Sequence, residues 1–171
     1  MGDAVRQDLL DNFNLMLKQT SGESDRGMVL SMSAFMEDLL GNIIKDFMLD
    51  VSAATELVEG FNAPLGTFSA RTKAAYALGL ISEDQHKDIN LVRKIRNEFA
   101  HSWAVTKLND QLVCKFAGSL SKPMINPNVS NLTIQLKFQY RVAELLIFLQ
   151  FRHDQIKANR LNSQPVISLK A

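Results

Sequence analysis

Apolar residues recur at three- and four-residue spacing through most of this chain, the signature of helices with one face turned inward. From Asp3 to Lys18 the run holds Val5, Leu9, Leu10, Phe13, Leu15, Met16 and Leu17. A polar break follows, Thr20-Ser-Gly-Glu-Ser-Asp25. A longer helix is predicted from about Arg26 to Leu49, with Met28, Val29, Met32, Phe35, Met36, Leu39, Leu40, Ile43, Ile44 and Phe47 in phase. Its methionines read as flexible core filler. A short helix over Ser52 to Glu59 stops at Gly60. Phe61-Asn-Ala-Pro-Leu-Gly66 is loop by its proline and glycine.

Thr67 can cap a helix through Ser69, Ala70, Arg71, Ala74, Ala75 and Leu78, and Gly79 ends it. Ser82 opens the next helix with Gln85 three residues on, a capping box, and Glu83 and Asp84 suit the dipole of its first turn. That helix should reach His101. From Trp103 the character changes. Gln111 to Ala117 alternates and predicts a strand, half of a small hairpin. Ser119 to Asn131, with Pro123 and Pro127, reads as loop. The last helix spans about Asn131 to Lys157 under a heavy apolar load that includes Phe138, Val142, Leu145 and Leu149. The expected fold is all-α: a bundle of four or five helices with a small extended insertion, one domain over 1–160, and a tail over 161–171.

At 171 residues the chain can bury a substantial core as one domain. Net charge is only +1, so an independent, sequence-specific grip on DNA is not expected. One cysteine, Cys114, allows no internal disulfide and reads as a buried structural thiol. The first residues are too polar for a signal peptide, and no uninterrupted apolar run has membrane-spanning length. A cytoplasmic location is expected, with no membrane contact.

The candidate chemistry lies in Arg93-Lys94-Ile95-Arg96-Asn97-Glu98-Phe99-Ala100-His101. On an ideal helix Ile89, Leu91, Val92, Ile95, Phe99 and Ala100 share one arc, which should face the core. His86, Asn90, Arg93, Asn97 and His101 form the opposite polar stripe, each within reach of the next. Arg96 projects at the edge of the apolar arc. In a functional reading His101 moves a proton to or from a ribose hydroxyl, and Arg96, helped by Arg93, stabilises the charged phosphate. Asn97 orients His101 or holds a phosphate oxygen. No metal and no cofactor is needed. A lone histidine is thin equipment for both acid and base work, so a symmetric homodimer is expected. In the plainer reading the same residues form a helix-end network, with Arg96 paired to Glu56 or Glu59. His86 and His153 read as surface or helix-end residues.

Two resemblances bear on the choice. Arg96-Asn97-Glu98-Phe99-Ala100-His101 resembles the Arg-x4–6-His signature of the HEPN superfamily. That resemblance implies a helical bundle, often dimeric, and in many members a metal-independent endoribonuclease, toxin-like or antiviral. Asn62 to Asp84, with its Pro-Leu-Gly loop, Ser-Ala-Arg helix and Tyr-Ala-Leu-Gly-Leu-Ile-Ser turn, resembles the bacterial mannitol operon repressor family. That likeness implies a transcriptional regulator without a DNA-reading element, acting through a protein partner. Arg71 lies in this segment. It reads as a second phosphate contact or, preferably, as a structural ion pair, for instance with Glu59 or Glu98. Phe61, Leu65, Phe68 and Tyr76 read as core or loop anchors, and Trp103 as a cover over the site or an interface anchor. A regulator acting by protein contact is the favoured reading. An RNase using Arg96, Asn97 and His101 is its rival, with RNA as a possible ligand.

Overall fold

The computed structural model describes residues 11, 14, 15, 18, 20, 22–124 and 132–159. The helix expected over Asp3 to Lys18 falls largely outside these residues, as do part of the loop before the last helix and the tail. Among the described residues there are six bounded helices and no strand. They are α1 (Asp25–Phe47), α2 (Ser52–Val58), α3 (Phe68–Ala77), α4 (Glu83–His101), α5 (Gln111–Ser119) and α6 (Ile134–Ala158).

Helix α1 is the centre of the bundle. It packs on α6 most extensively and also on α3, α4 and α2. Val29, Met32, Met36, Leu40, Ile43 and Ile44 are buried along it. By length and composition α1 could cross a membrane, but 56% of its most apolar window is buried in this fold. It is a core helix. At its start Gln139 of α6 donates to Thr20, at 3.3 Å. At its far end His153 of α6 meets Asp46, at 2.7 Å. Helices α1 and α6 therefore run in the same direction.

Local chemistry sets the helix ends where the residue types predict. The Thr67 hydroxyl accepts the Ala70 N–H, and Ser82 with Gln85 forms the reciprocal capping box. Gly79 adopts φ +69°, and Gly79 N–H and Leu80 N–H bond back to Tyr76 and Ala75, which closes α3 and turns the chain into α4.

The strand expected over Gln111 to Ala117 is a helix, α5. Seven residues of mixed polarity fit both periods, and packing decides between them. Val113 and Ala117, one turn apart, are buried, and α5 lies on α4 and α6. The small extended insertion is therefore absent from the described fold.

Candidate functional site

Helix α4 carries the candidate residues, and both of its ends are fixed. At the C-terminal end Arg26 of α1 donates to the carbonyls of Phe99, Ser102 (2.9 Å) and Val105 (2.8 Å). A cation thus meets the negative end of the α4 dipole and fills its orphan carbonyls. The neighbouring Asp25 accepts the Leu108 N–H at 2.8 Å. Asp110 accepts the N–H groups of Thr106 (2.8 Å) and Lys107 (3.0 Å). Those two backbone donors, Lys107 first, hold the Asp110 carboxyl below its usual pKa.

The core face of α4 is Ile89, Val92, Ile95 and Phe99, all fully buried. Leu91 is half-buried and Ala100 is exposed, so the apolar arc is narrower than expected. Asp88 shares this face and is 2% exposed. It accepts from Arg141 of α6 at 2.7 Å and from the Ser121 N–H at 3.1 Å. Arg141 also donates to Glu144 at 3.0 Å. This buried triad has a sequence signal, since both Asp88 and Arg141 sit in phase with the apolar residues of their helices.

Arg96 is half-buried at the α1–α4 contact. Its Nη2 meets Glu37 Oε2 at 3.0 Å, and its Nη1 donates to Asn97 Oδ1 at 3.2 Å. The partner is Glu37 and not Glu56 or Glu59. Helix α2 lies against the far end of α1, where Glu59 takes Lys45 at 2.5 Å. Asn97 thus engages Arg96. His101, on the last turn of α4, is exposed and has no hydrogen bond to Asn97 among the described residues.

Farther back on the polar stripe, Arg93 Nη2 lies 3.4 Å from Asn90 Oδ1. Asn90 Nδ2 in turn reaches the His86 carbonyl at 2.9 Å and His86 Nε2 at 3.0 Å. The His86 ring stacks on Tyr76, centroids 4.4 Å apart, so it joins α3 to α4 and is not a plain surface residue. His153, read as a surface or helix-end residue, is buried beside Asp46.

Arg71 is bound by neither Glu59 nor Glu98. It donates to the carbonyls of Leu65 (3.0 Å), Glu37 (3.1 Å) and Val58 (3.0 Å), with Asp38 at 3.8 Å. It ties α1, the end of α2 and the Pro-Leu-Gly loop to α3. Glu37 therefore serves both arginines, Arg96 through its side chain and Arg71 through its backbone. Of the aromatic anchors, Phe68 is buried, but Phe61 is 98% exposed. Trp103 is 94% exposed, 6.0 Å from the Arg26 guanidinium. Sequence reasoning missed Arg26, Glu37 and the triad. Among the described residues no cluster of three or more His, Cys, Asp or Glu could hold a metal ion.

The model of a protein family described as "Mannitol repressor", MtlR, matches residues 27–155, from the first turn of α1 to near the end of α6. Among solved structures the fold is similar to one described as the X-ray structure of the MtlR–HPr complex from Escherichia coli. The TM-score is 0.55 at 20% identity, covering 91% of this chain and 99% of that one. No curated protein matches this chain.

Proposed function

The chain belongs to the mannitol repressor family, and from that premise we propose that it represses transcription by contact with another protein, HPr being the first candidate. The observation that carries this reading is the likeness over 91% of the chain to one solved in an MtlR–HPr complex. The surface chemistry agrees. A net charge of +1 offers little general attraction to DNA. Trp103, 94% exposed next to the Arg26 anchor, is the type of side chain that fills a partner's pocket. On this reading the protein works in the cytoplasm as a homodimer. The test is co-elution with purified HPr on size exclusion at tens of micromolar. One shared peak supports HPr as the partner. Separate peaks remove HPr.

Metal-independent RNA cleavage, the HEPN-type reading, is the second proposal. The observation in its favour is His101, exposed at the end of α4 five residues after Arg96. Against it, Arg96 is engaged by Glu37 and Asn97, so phosphate would have to displace an ion pair. Cleavage of RNA in EDTA by the wild type but not by His101→Ala, leaving cyclic-phosphate ends, would establish it.

A further inference from the structure

Arg93 differs from the other buried and half-buried arginines of the described fold. Arg26 and Arg71 each satisfy three backbone carbonyls. Arg96 holds Glu37 and Asn97. Arg141 holds Asp88 and Glu144. Arg93 makes one long contact, 3.4 Å to the neutral amide of Asn90. Its Nε–H is buried and has no acceptor among the described residues. No carboxylate of the described residues forms an ion pair with it; Glu37 is taken by Arg96 one turn away. A guanidinium carries five donors in a fixed fork, and a covered donor without an acceptor is costly.

The neighbouring side chains are neutral amides: Asn90 accepts from Arg93, and its own amide nitrogen is held by His86. Asn97 lies one turn on from Arg93, and its Oδ1 is already used by Arg96, which leaves its amide N–H groups for another acceptor. Asn90 lies one turn back, held against His86. A positive fork with one open amide donor beside it, on Asn97, and no resident anion among the described residues suits an oxyanion supplied from outside.

We propose that Arg93, with Asn97 beside it, is a binding site for a phosphate monoester. The tetrahedral dianion presents three non-bridging oxygens, so two can take the fork while the third faces the Asn97 amide; a planar carboxylate has only two oxygens, and the fork engages both. A small turn of the guanidinium brings Nε and one Nη onto the anion and satisfies the buried donor. The monoester could belong to a free small molecule or to a phosphorylated side chain of a partner. Binding here requires neither HPr nor the proton transfer assigned to His101, and it shares Asn97 with Arg96.

The test follows the arginine Nε–H resonances of the full chain by NMR. Inorganic phosphate is titrated at constant ionic strength, followed by a phosphoserine peptide and its unphosphorylated twin. The expected result is a saturable shift of the Arg93 Nε–H. Line broadening of the probe's phosphorus resonance, which every variant can report, is lost in Arg93→Gln and unchanged in Arg152→Gln, a variant of an exposed arginine. Saturation by inorganic phosphate assigns a free ligand. Saturation by the phosphopeptide alone assigns a partner-borne one. Should Arg93→Gln fold poorly, Asn97→Asp supplies an internal carboxylate to Arg93 and should weaken binding at least about tenfold, roughly 1.4 kcal/mol. A linear, unsaturating response to both probes, or an equal response in the variants, overturns the proposal.

Discussion

Arg96 and Glu37 form an ion pair between α4 and α1, Nη2 to Oε2 at 3.0 Å. The pair is partly open to solvent, with the side chains 31% and 18% exposed, so its contribution is modest. Glu37→Gln should lower stability by about 1 kcal/mol or less, read from the urea midpoint. The same substitution releases Arg96. If Arg96 serves RNA, Glu37→Gln should bind RNA more tightly than the wild type. Unchanged RNA affinity with unchanged folding would mark Arg96 as a structural residue.

Gly41 and Gly118 give substitutions of opposite sign. A Cβ on Gly41 would lie 2.9 Å from Arg71 Cζ. That guanidinium is held by three carbonyls and cannot simply swing away. Gly41→Ala should cost about 1–3 kcal/mol. Gly118, inside α5, has open space around it, with nothing within 4 Å of where a Cβ would lie. Gly118→Ala should stabilise by about 0.5–1 kcal/mol through helix propensity. Thermal melts of the two variants should move in opposite directions.

The Asp88–Arg141–Glu144 triad is buried, with side chains 2%, 7% and 1% exposed. Arg141→Met removes the cation that two buried carboxylates share, and should cost about 3–5 kcal/mol. Replacing all three with apolar residues of similar size should recover most of that loss, because the desolvation penalty goes with the charges. Denaturant titrations of the single and triple variants check this. A triple variant no more stable than Arg141→Met would contradict it.

Asp110 gives the acid response of the turn before α5. Its carboxyl pKa is lowered in the fold, chiefly by the Lys107 N–H and then the Thr106 N–H. A lowered folded pKa means stability that is present above the unfolded value and lost as pH falls through the folded one. Protection of the Thr106 and Lys107 amides, taken relative to their intrinsic exchange rates, should therefore fall as pH drops below the ordinary carboxylate range. In Asp110→Ala that protection should be lost at all pH values.

The helices were legible because period and caps agree. Thr67, Gly79 and the Ser82–Gln85 box fall where the residue types place them. The segment 111–117 was misread because an apolar run that short fits a strand or a helix, and only burial of Val113 and Ala117 settles it. The partners of the arginines were not legible. Arg96 to Glu37 spans 59 residues and Arg26 to Phe99 spans 73, and no local spacing encodes such pairings. Asp88 and Arg141 left a trace, as charges in apolar phase. Phe61 left none, because large aromatics more often read as core than as surface, whereas Trp103, read as a cover or an interface anchor, is exposed.

The chain's one tryptophan, Trp103, reports directly on recognition of a protein partner. Titration of purified HPr, followed by Trp103 emission and repeated by calorimetry to avoid interference, tests it. Saturation at a 1:1 ratio with micromolar affinity is expected, weakened at least about tenfold in Trp103→Ala, roughly 1.4 kcal/mol. No binding by folded protein, together with RNA cleavage in EDTA that His101→Ala abolishes, would contradict it.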